Sequence, residues 1–530
     1  MSQVTKPCQH CRQKPSDTTP GHVPERDFVK LVERRARKLL GLLNYFAECS
    51  NPREAMTRPF LGDLLSQAIQ VEEILDSYDA GKNCRWCRMR ALTAAVKAHA
   101  DLSYELLHIG HRVPSYRLIA GERDFGAATE QTLDFTSRIL VKTAAEMTSL
   151  ARSMGMNIDT SEDIAETYAE MLLPGHLPHD CGARRVETVA ETVALLATSF
   201  LNLASVSEDV RAASRARPAD YPLYLLSSLR EERLRGLEFQ FHNLQSQYDT
   251  YVSGTEVERH DTDLPVLRGH ASVVFHLLKT ATLFAHYYER HVNKELCSRH
   301  AEAPLPIDRE ELLAALMGYS ITFIDHYIGS AVSLCQEMLK RYAEVGQIEV
   351  AIPKYRGFHV RPSTLVAKLV LHYGSQVQMR LVDDIYDASA PLDLFRANEK
   401  INAQKRRWLA EEIVRLELVP ETLDSADLVS VVRSVALALA AKGKLILYEQ
   451  PLQLPDRLCP GEGTLIERVT NETGRLLAMG KIDIGTDITA QFIGDKRVLA
   501  DIKLLAENGY GEDSFGNNIA LPEKLIYLRR

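Results

Sequence analysis

Apolar residues recur every three to four positions through the first two thirds of the chain, a pattern typical of amphipathic helices. The spacing is clear around Phe28, Leu31 and Val32. It recurs near residues 63–78, 126–154, 161–172 and 186–213, and in three longer segments at 221–251, 264–297 and 308–342. Segments of this length suit the helices of an antiparallel bundle. We therefore expect an all-α region of one or two packed bundles over residues 25–345.

The hydrophobic period changes from 3.6 to 2 near Gln347, where Ile348, Val350 and Ile352 alternate with other residues and predict a strand ending at Pro353. The next segments predict a helix over 365–373, strands over 377–381 and 385–388, and a helix that opens at Pro391. The order is strand, helix, two strands and helix. An α+β domain therefore follows the helical region.

The rest of the chain mixes helix and strand signals. Helical stretches are expected at about 400–418 and 423–441, a strand at 444–450, and a strand pair and helix within 482–507. The pattern divides the chain into four segments: a flexible cysteine-containing segment (1–24), the helical region (25–345), an α+β domain with a helical insertion (346–455) and a C-terminal α/β extension (456–530).

Composition and charge narrow the function classes. The chain has 45% hydrophobic and 25% charged residues, as ordinary folded proteins do. A net charge of −8 argues against a surface built to neutralise nucleic-acid phosphates. The first residues lack a basic region followed by an apolar run, and the longest uncharged apolar stretch, about 192–207, is shorter than the ~18 to 20 residues of a membrane span. We expect a cytoplasmic protein without a membrane span and with reduced thiols.

The sequence GFHVRPST (residues 357–364) joins the first predicted strand to the following helix. A histidine at this place, His359, can present its ring to the unpaired N–H groups of the first helical turn. These groups and the helix dipole stabilise an anion. Arg361 adds a permanent positive charge that can bind phosphate oxygens in a bidentate way. The pattern predicts a phosphoryl group carried on His359 and stabilised by Arg361.

Four neighbours of this pair support the same interpretation. Gly357 lets the loop turn where a side chain would crowd the phosphate, and Pro362 presets φ for the helix start. Ser363 and Thr364 contribute hydroxyl groups or shape the first turn.

The motif, the strand before it and the element order after it resemble HPr, the histidine phosphocarrier of the bacterial phosphoenolpyruvate-dependent phosphotransferase system. The resemblance implies an open-faced β-sandwich in which His359 accepts a phosphoryl group from an enzyme I-like donor protein and passes it to a further protein. It also implies that Leu394 and Phe395, early in the second helix, form an exposed apolar pair that meets partner proteins. In place of a short turn to a fourth strand, the chain has a long helical stretch.

We therefore expect a phosphohistidine carrier or phosphorylation-dependent regulator, rather than a turnover enzyme, that requires no cofactor. The alternative is a non-catalytic helical scaffold whose HPr-like fold is a degenerate interaction surface, stabilised by zinc. Two pairs with C-x-x-C spacing, Cys8 with Cys11 and Cys84 with Cys87, carry the zinc hypothesis. The long separation between the pairs is unlike that of a compact zinc ribbon. Cys84 and Cys87 at a helix start also allow a redox role, and ordinary unpaired cysteines are the third interpretation.

A short sequence pattern that occurs twice in the long helices indicates one more candidate site. His286 and His326 each follow a similar apolar run and precede a tyrosine. In antiparallel helices both rings can face one interior point, near Glu289, His291 or Asp325. The simpler interpretation is that these are satisfied core or boundary residues, since the Glu-x-x-His signature of di-iron bundles is missing.

Overall fold

A computed structural model describes residues 22–158, 164–170, 177, 189–292, 307–419, 428–448, 451–454, 463–485 and 487–528. The chain divides into two compact units, Met1–Cys335 and Gln336–Arg530. The first is helical, and the second combines helices with small antiparallel sheets. The predicted change from helix to a mixed fold is therefore present, and the compact units divide ten residues before the expected boundary at 345.

The described residues of the first unit form helices joined by turns and loops. Its helices are α1 (Glu25–Glu48), α2 (Pro52–Ala55), α3 (Arg58–Ser77), α4 (Cys87–Arg112), α5 (Phe125–Ser153), α6 (Ile164–Thr167), α7 (Val189–Val206), α8 (Glu208–Ala212), α9 (Tyr221–Leu225), α10 (Glu231–Tyr251), α11 (Glu256–His260), α12 (Asp263–Tyr287) and α13 (Arg309–Ala315). Helix α14 (Thr322–Arg341) includes the division between the units. Side-chain caps fix several starts: Thr57, Asp124 and Asp308 accept N–H groups of the first turns of α3, α5 and α13.

The apolar stripes of the long helices form the core of this unit. On α10 the buried residues follow the helical period: Leu234, Leu237, Phe241, Leu244 and Tyr248. This stripe packs along α12. The single helix expected over 221–251 is interrupted, because α9 ends at Leu225 and α10 begins at Glu231.

Among the described residues, two helical segments are long and apolar enough to cross a membrane by length and composition alone. They are Val189–Val206 and the continuous run Arg309–Arg341. Core helices of water-soluble proteins often have the same length and composition, so these segments are weak evidence for a membrane span.

The second unit is built on a four-stranded antiparallel sheet. Its strands are β1 (Val345–Ala351), β2 (Val377–Leu381), β3 (Asp384–Asp387) and β6 (Thr489–Asp495), in the spatial order β1-β6-β2-β3. Strand β2 alternates buried and exposed residues, so one face of the sheet is covered. Phe492 on β6 lies opposite both Ile348 and Met379, which places it at the centre of the covered face.

The described residues of this unit also form five α-helices and a second, two-stranded sheet. They are α15 (Val360–Tyr373), α16 (Pro391–Arg415), α17 (Leu428–Ala441), α18 (Leu465–Ala478) and α19 (Lys496–Glu507), with β4 (Ile446–Leu447) paired to β5 (Ile482–Asp483). Strand β6 lies between β1 and β2, so the segment expected to be a separate extension from 456 contributes a central strand of the main sheet.

Helix α16 connects two hydrophobic cores. Its first half buries Leu394, Ala397 and Ile401, and it packs against α15 and β3. Its second half contributes Leu409 and Ile413 to a separate core formed with α17, α18 and the β4-β5 sheet. The helical stretch expected at 400–418 is therefore a continuation of the second helix. We call residues 402–485 the insert, since they lie between the first half of α16 and β6.

One buried histidine in the first unit predicts a pH dependence of stability. His99 lies on the buried face of α4. Loss of solvation there lowers its pKa to about 4, well below the ordinary value of 6.5. Its Nδ1–H donates to the Ala95 carbonyl, and the buried Nε2 has no hydrogen-bond partner for a second proton. The unfolded chain therefore gains a proton below pH 6.5 that the folded protein does not accept until about pH 4. Stability falls as pH falls through this window.

We expect His99 alone to lower the free energy of unfolding by about 2 kcal/mol between about pH 7.5 and about pH 5. Urea unfolding followed by Trp86 fluorescence, in a Trp408→Phe background, reports the first unit. His99→Leu should reduce the acid-induced loss by that amount, whereas replacing the exposed His111 of the same helix by Leu should not. An equal acid response in His99→Leu and its parent contradicts the assignment.

Candidate functional site

The histidine of the GFHVRPST motif is the N-cap residue of α15. His359 has an extended backbone with φ −72° and ψ −174°, and its side chain does not cap the helix. Its carbonyl accepts the N–H of Ser363, so the N–H groups of Val360 and Arg361 precede the first intrahelical bond. The imidazole is 21% exposed. The predicted placement of the ring beside the first turn of a helix is therefore present.

The loop before the histidine turns through two residues with positive φ. Arg356 has φ +51° and Gly357 has φ +61°. A Cβ atom on Gly357 would lie 2.5 Å from Oδ1 of Asn398, so a side chain there would collide with α16. Glycine is required by both the backbone and the space, and the group that excludes a side chain is Asn398.

Three residues after His359 shape the first turn. Pro362 and Ser363 are buried, and the Ser363 hydroxyl donates to the Phe358 carbonyl at 2.7 Å. The Thr364 hydroxyl donates to the Val360 carbonyl at 2.6 Å. Both hydroxyls are engaged with backbone oxygens, so these residues hold the turn in place.

A carboxylate from the C-terminal segment completes the site. Glu512 Oε2 lies 2.7 Å from Nε2 of His359, and Glu512 Oε1 lies 3.7 Å from Nε of Arg361. The Glu512 side chain is only 6% exposed. Nε of Arg361 is buried and makes no hydrogen bond. The site thus combines a partly exposed imidazole, a guanidinium with an unused donor and a buried carboxylate.

The hydrogen bond to Glu512 determines the tautomer of a neutral His359. An ionised carboxylate can only accept, so the proton lies on Nε2 and the lone pair on Nδ1. A ring held in this state is a nucleophile at Nδ1, and the carboxylate stabilises the positive charge that the ring gains when Nδ1 forms a bond. The arrangement suits transfer of an electrophilic group to Nδ1.

The segment that carries Glu512 is anchored to the sheet. Tyr510 has φ +55°, is fully buried and donates its hydroxyl to the Ala351 carbonyl at 2.9 Å. Its ring meets that of Phe358 edge to face, with centroids 5.7 Å apart. The position of Glu512 is therefore set by packing against β1 and the histidine loop.

Sequence reasoning did not identify Glu512. It lies 153 positions from His359, outside any motif, and carboxylates are frequent in this chain. The only local hint is the Gly509-Tyr-Gly511 turn before it, which holds the chain in positive-φ conformations.

The structure corrects one of the two expected partner contacts. Leu394 is 0% exposed and is a core residue, because it lies on the face of α16 that also buries Ala397 and Ile401. Phe395 is 47% exposed, and Leu392 is 76% exposed. The exposed apolar residues of this turn are therefore Leu392 and Phe395.

The cysteine pairs fall partly outside the described residues. Cys8 and Cys11 lie in the undescribed first 21 residues. Cys84 is disulfide-bonded, and Cys87 begins α4, with its thiol 3.6 Å from the Cys84 carbonyl. In the part of the chain that the structure describes, no three histidine, cysteine or carboxylate side chains are arranged to hold a metal ion. The expectation of reduced thiols is therefore wrong for Cys84. Because zinc binds the thiolate, the disulfide would have to be reduced before Cys84 could be a ligand, and zinc binding by the two pairs stays a prediction.

The two histidines of the repeated pattern in the helical region have different partners. His286 contacts Glu231 at 2.9 Å, whereas Nε2 of His326 lies 3.4 Å from the Ile119 carbonyl. Asp325 pairs with Arg211. The structure does not bring the two rings to one interior point.

Comparisons with known protein families, with curated proteins and with solved structures found no match to this chain. The function of this chain is therefore inferred from the geometry of the site itself.

The contact between Glu512 and His359 predicts a measurable tautomer. We expect ¹⁵N NMR at about pH 7.5 to show the His359 ring protonated at Nε2 and unprotonated at Nδ1, since the carboxylate can only accept. Glu512→Ala should remove this preference and shift both nitrogen signals. Glu507→Gln, which removes an exposed carboxylate on α19, should leave them unchanged. An Nδ1-protonated ring in the parent protein would contradict the geometry.

Proposed function

We propose that this protein is a phosphohistidine carrier or phosphorylation-dependent regulator that accepts a phosphoryl group on Nδ1 of His359. One observation carries the proposal: a partly exposed imidazole at the start of α15, with its Nε2 bonded to a buried carboxylate and a guanidinium beside it. This constellation supplies a nucleophile, a stabilising charge and open main-chain donors for an anion.

The proposed phosphoryl transfer conserves bonds and charge between the two histidine rings, so it needs no further reactant. The lone pair of Nδ1 attacks the phosphorus of a phosphohistidine on the donor protein, a new P–N bond forms, and the donor's P–N bond breaks with its electron pair returning to the donor ring. The His359 ring keeps its Nε2 proton and becomes positively charged, while the donor ring becomes neutral. Glu512 compensates the new charge on the His359 ring.

Arg361 and the first turn of α15 would bind the transferred group. The guanidinium has an unused Nε–H donor and its side chain is 36% exposed, so it can contact both the site and an arriving phosphate. The N–H groups of Val360 and Arg361 add main-chain donors at the positive end of the helix dipole. No step needs a metal ion bound to this protein.

The element order around the site supports an HPr-like carrier. The motif lies between a strand and a helix, and a β2-β3 hairpin, a second helix and a fourth strand follow. This is the order on which the resemblance to HPr rests, with the insert placed between the first half of the second helix and the fourth strand. By the same resemblance, the donor is an enzyme I-like protein, and the exposed Leu392 and Phe395 are candidates for the surface that meets it.

The direct test is phosphoryl transfer from enzyme I and radiolabelled phosphoenolpyruvate. We expect acid-labile label on the parent protein and none on His359→Ala, because a phosphoramidate on imidazole is the only proposed product. His111→Ala, at an exposed site in the helical unit, should label as the parent does. Label that survives in His359→Ala would assign another acceptor. An unlabelled parent, with a verified donor, would favour the scaffold alternative.

Arg361 should control the rate of transfer. We expect Arg361→Ala to slow labelling by about ten- to a hundredfold, and Arg361→Lys to recover only part of the rate, since lysine lacks the planar fork that binds two phosphate oxygens. Lys503→Ala, which removes an exposed positive charge on α19, serves as the control and should label at the parent rate. Equal labelling rates in Arg361→Ala and the parent would exclude a role in binding the phosphoryl group.

A further inference from the structure

A buried ion pair lies beneath the histidine loop. Lys405 on α16 and Asp483 on β5 have side chains that are 2% and 3% exposed, and Nζ lies 2.5 Å from Oδ1. Oδ1 also accepts the N–H of Ile484 at 2.7 Å. Oδ2 accepts the backbone N–H of Arg356 at 3.1 Å and the Tyr448 hydroxyl at 3.3 Å. Every oxygen of this carboxylate is therefore used, and one of its bonds reaches the loop that carries His359.

The first route from this pair to the histidine runs along the backbone. Asp483 binds the N–H of Arg356, whose φ of +51° is unfavourable for a residue with a side chain. The Arg356 guanidinium donates to the Gly480 carbonyl at 2.9 Å, so the insert holds this residue at both ends. Three residues after Arg356, the N–H of His359 donates to the Gly357 carbonyl at 2.8 Å. A tight turn thus transmits the position of Arg356 to the N-cap residue.

The second route runs through aromatic rings. Tyr448, just after β4, donates its hydroxyl to Asp483, and its ring meets Tyr355 with centroids 5.0 Å apart. Tyr355 in turn meets the His359 ring edge to face at 5.4 Å. Both routes begin at Asp483 and end at His359.

The ion pair lies at the junction of the two cores of the second unit. On α16, Lys405 follows Ile401 of the sheet core and precedes Leu409 of the insert core. Burying two charges costs solvation, and apolar residues of similar size often replace such a pair without loss of stability. Stability alone therefore does not explain a charged pair at this place, whereas orienting a polar loop does.

We propose that Lys405 and Asp483, with Tyr448, are positioning residues through which the insert sets the conformation of the loop 355–359 and hence the reactivity of His359. The insert thereby acts as a fixed support for the site, and any partner that displaces β5 from the loop would alter transfer. The reactivity part of this proposal rests on the proposed function, whereas the effect on loop conformation does not.

The experiment compares three proteins. They are a double variant that combines Lys405→Met and Asp483→Leu, the single variant Tyr448→Phe, and the parent. The double variant keeps an apolar contact in place of the ion pair, and Tyr448→Phe removes only the hydroxyl. We expect faster hydrogen exchange in peptides covering 354–361 but not in peptides of α5, and altered ¹⁵N signals of His359, in both variants. Phosphoryl transfer should slow about ten- to a hundredfold in the double variant and less in Tyr448→Phe, with kcat affected more than KM for the donor.

Arg415→Gln provides the matched control, because it removes a charged partner of Glu412 on the same helix without touching the loop. Its exchange, NMR signals and transfer rate should equal those of the parent. Should the double variant fail to fold, Tyr448→Phe decides the question alone. Unchanged exchange and unchanged His359 signals in the folded variants would overturn the positioning role. Changed signals together with an unlabelled parent would leave the positioning role standing and reject the phosphocarrier function.

Discussion

The hydrogen bond between Glu512 and Nε2 of His359 is the contact on which the proposed chemistry of this site depends. An ionised carboxylate in this position can only accept a hydrogen bond, so Nε2 keeps its proton and Nδ1 carries the lone pair. The same carboxylate is almost fully buried and lies near Arg361, which offsets part of the cost of removing its charge from water. Without it, the motif would still place an imidazole at a helix start, but either ring nitrogen could hold the proton.

The second unit supports this contact from two sides. On one side, Tyr510 anchors the C-terminal segment to the end of β1 and so places Glu512 beside His359. On the other side, the insert binds Arg356 through Asp483 and Gly480. The histidine loop contains two consecutive positive-φ residues, and such a conformation persists only where the surrounding structure over-determines it. The contacts from the C-terminal segment and from the insert therefore hold the strained turn in place.

Helix α16 explains how an insertion can be accommodated without disrupting the sheet. The helix is continuous, with its first half in the sheet core and its second half in the insert core. Strand β6 still reaches its place between β1 and β2, so the sheet is completed after a long excursion of the chain. The cost of closing such a connection grows only slowly with its length, and a separate hydrophobic core lets the insert contribute its own burial.

The sequence by itself determined the elements whose cause is local. The period-2 run before Pro353, the glycine after α15 and the proline at the start of α16 predict β1, α15 and α16 closely, and the requirement for glycine at 357 follows from the turn. The prediction that Leu394 is exposed was wrong. It came from the resemblance to HPr, whereas the helical spacing of Leu394 with Ala397 and Ile401 indicates a buried stripe. Only the tertiary structure decided that Glu512, Asp483 and Tyr448 surround the histidine loop, because hydrogen bonds and ring contacts between distant segments leave no periodic or compositional trace in the chain.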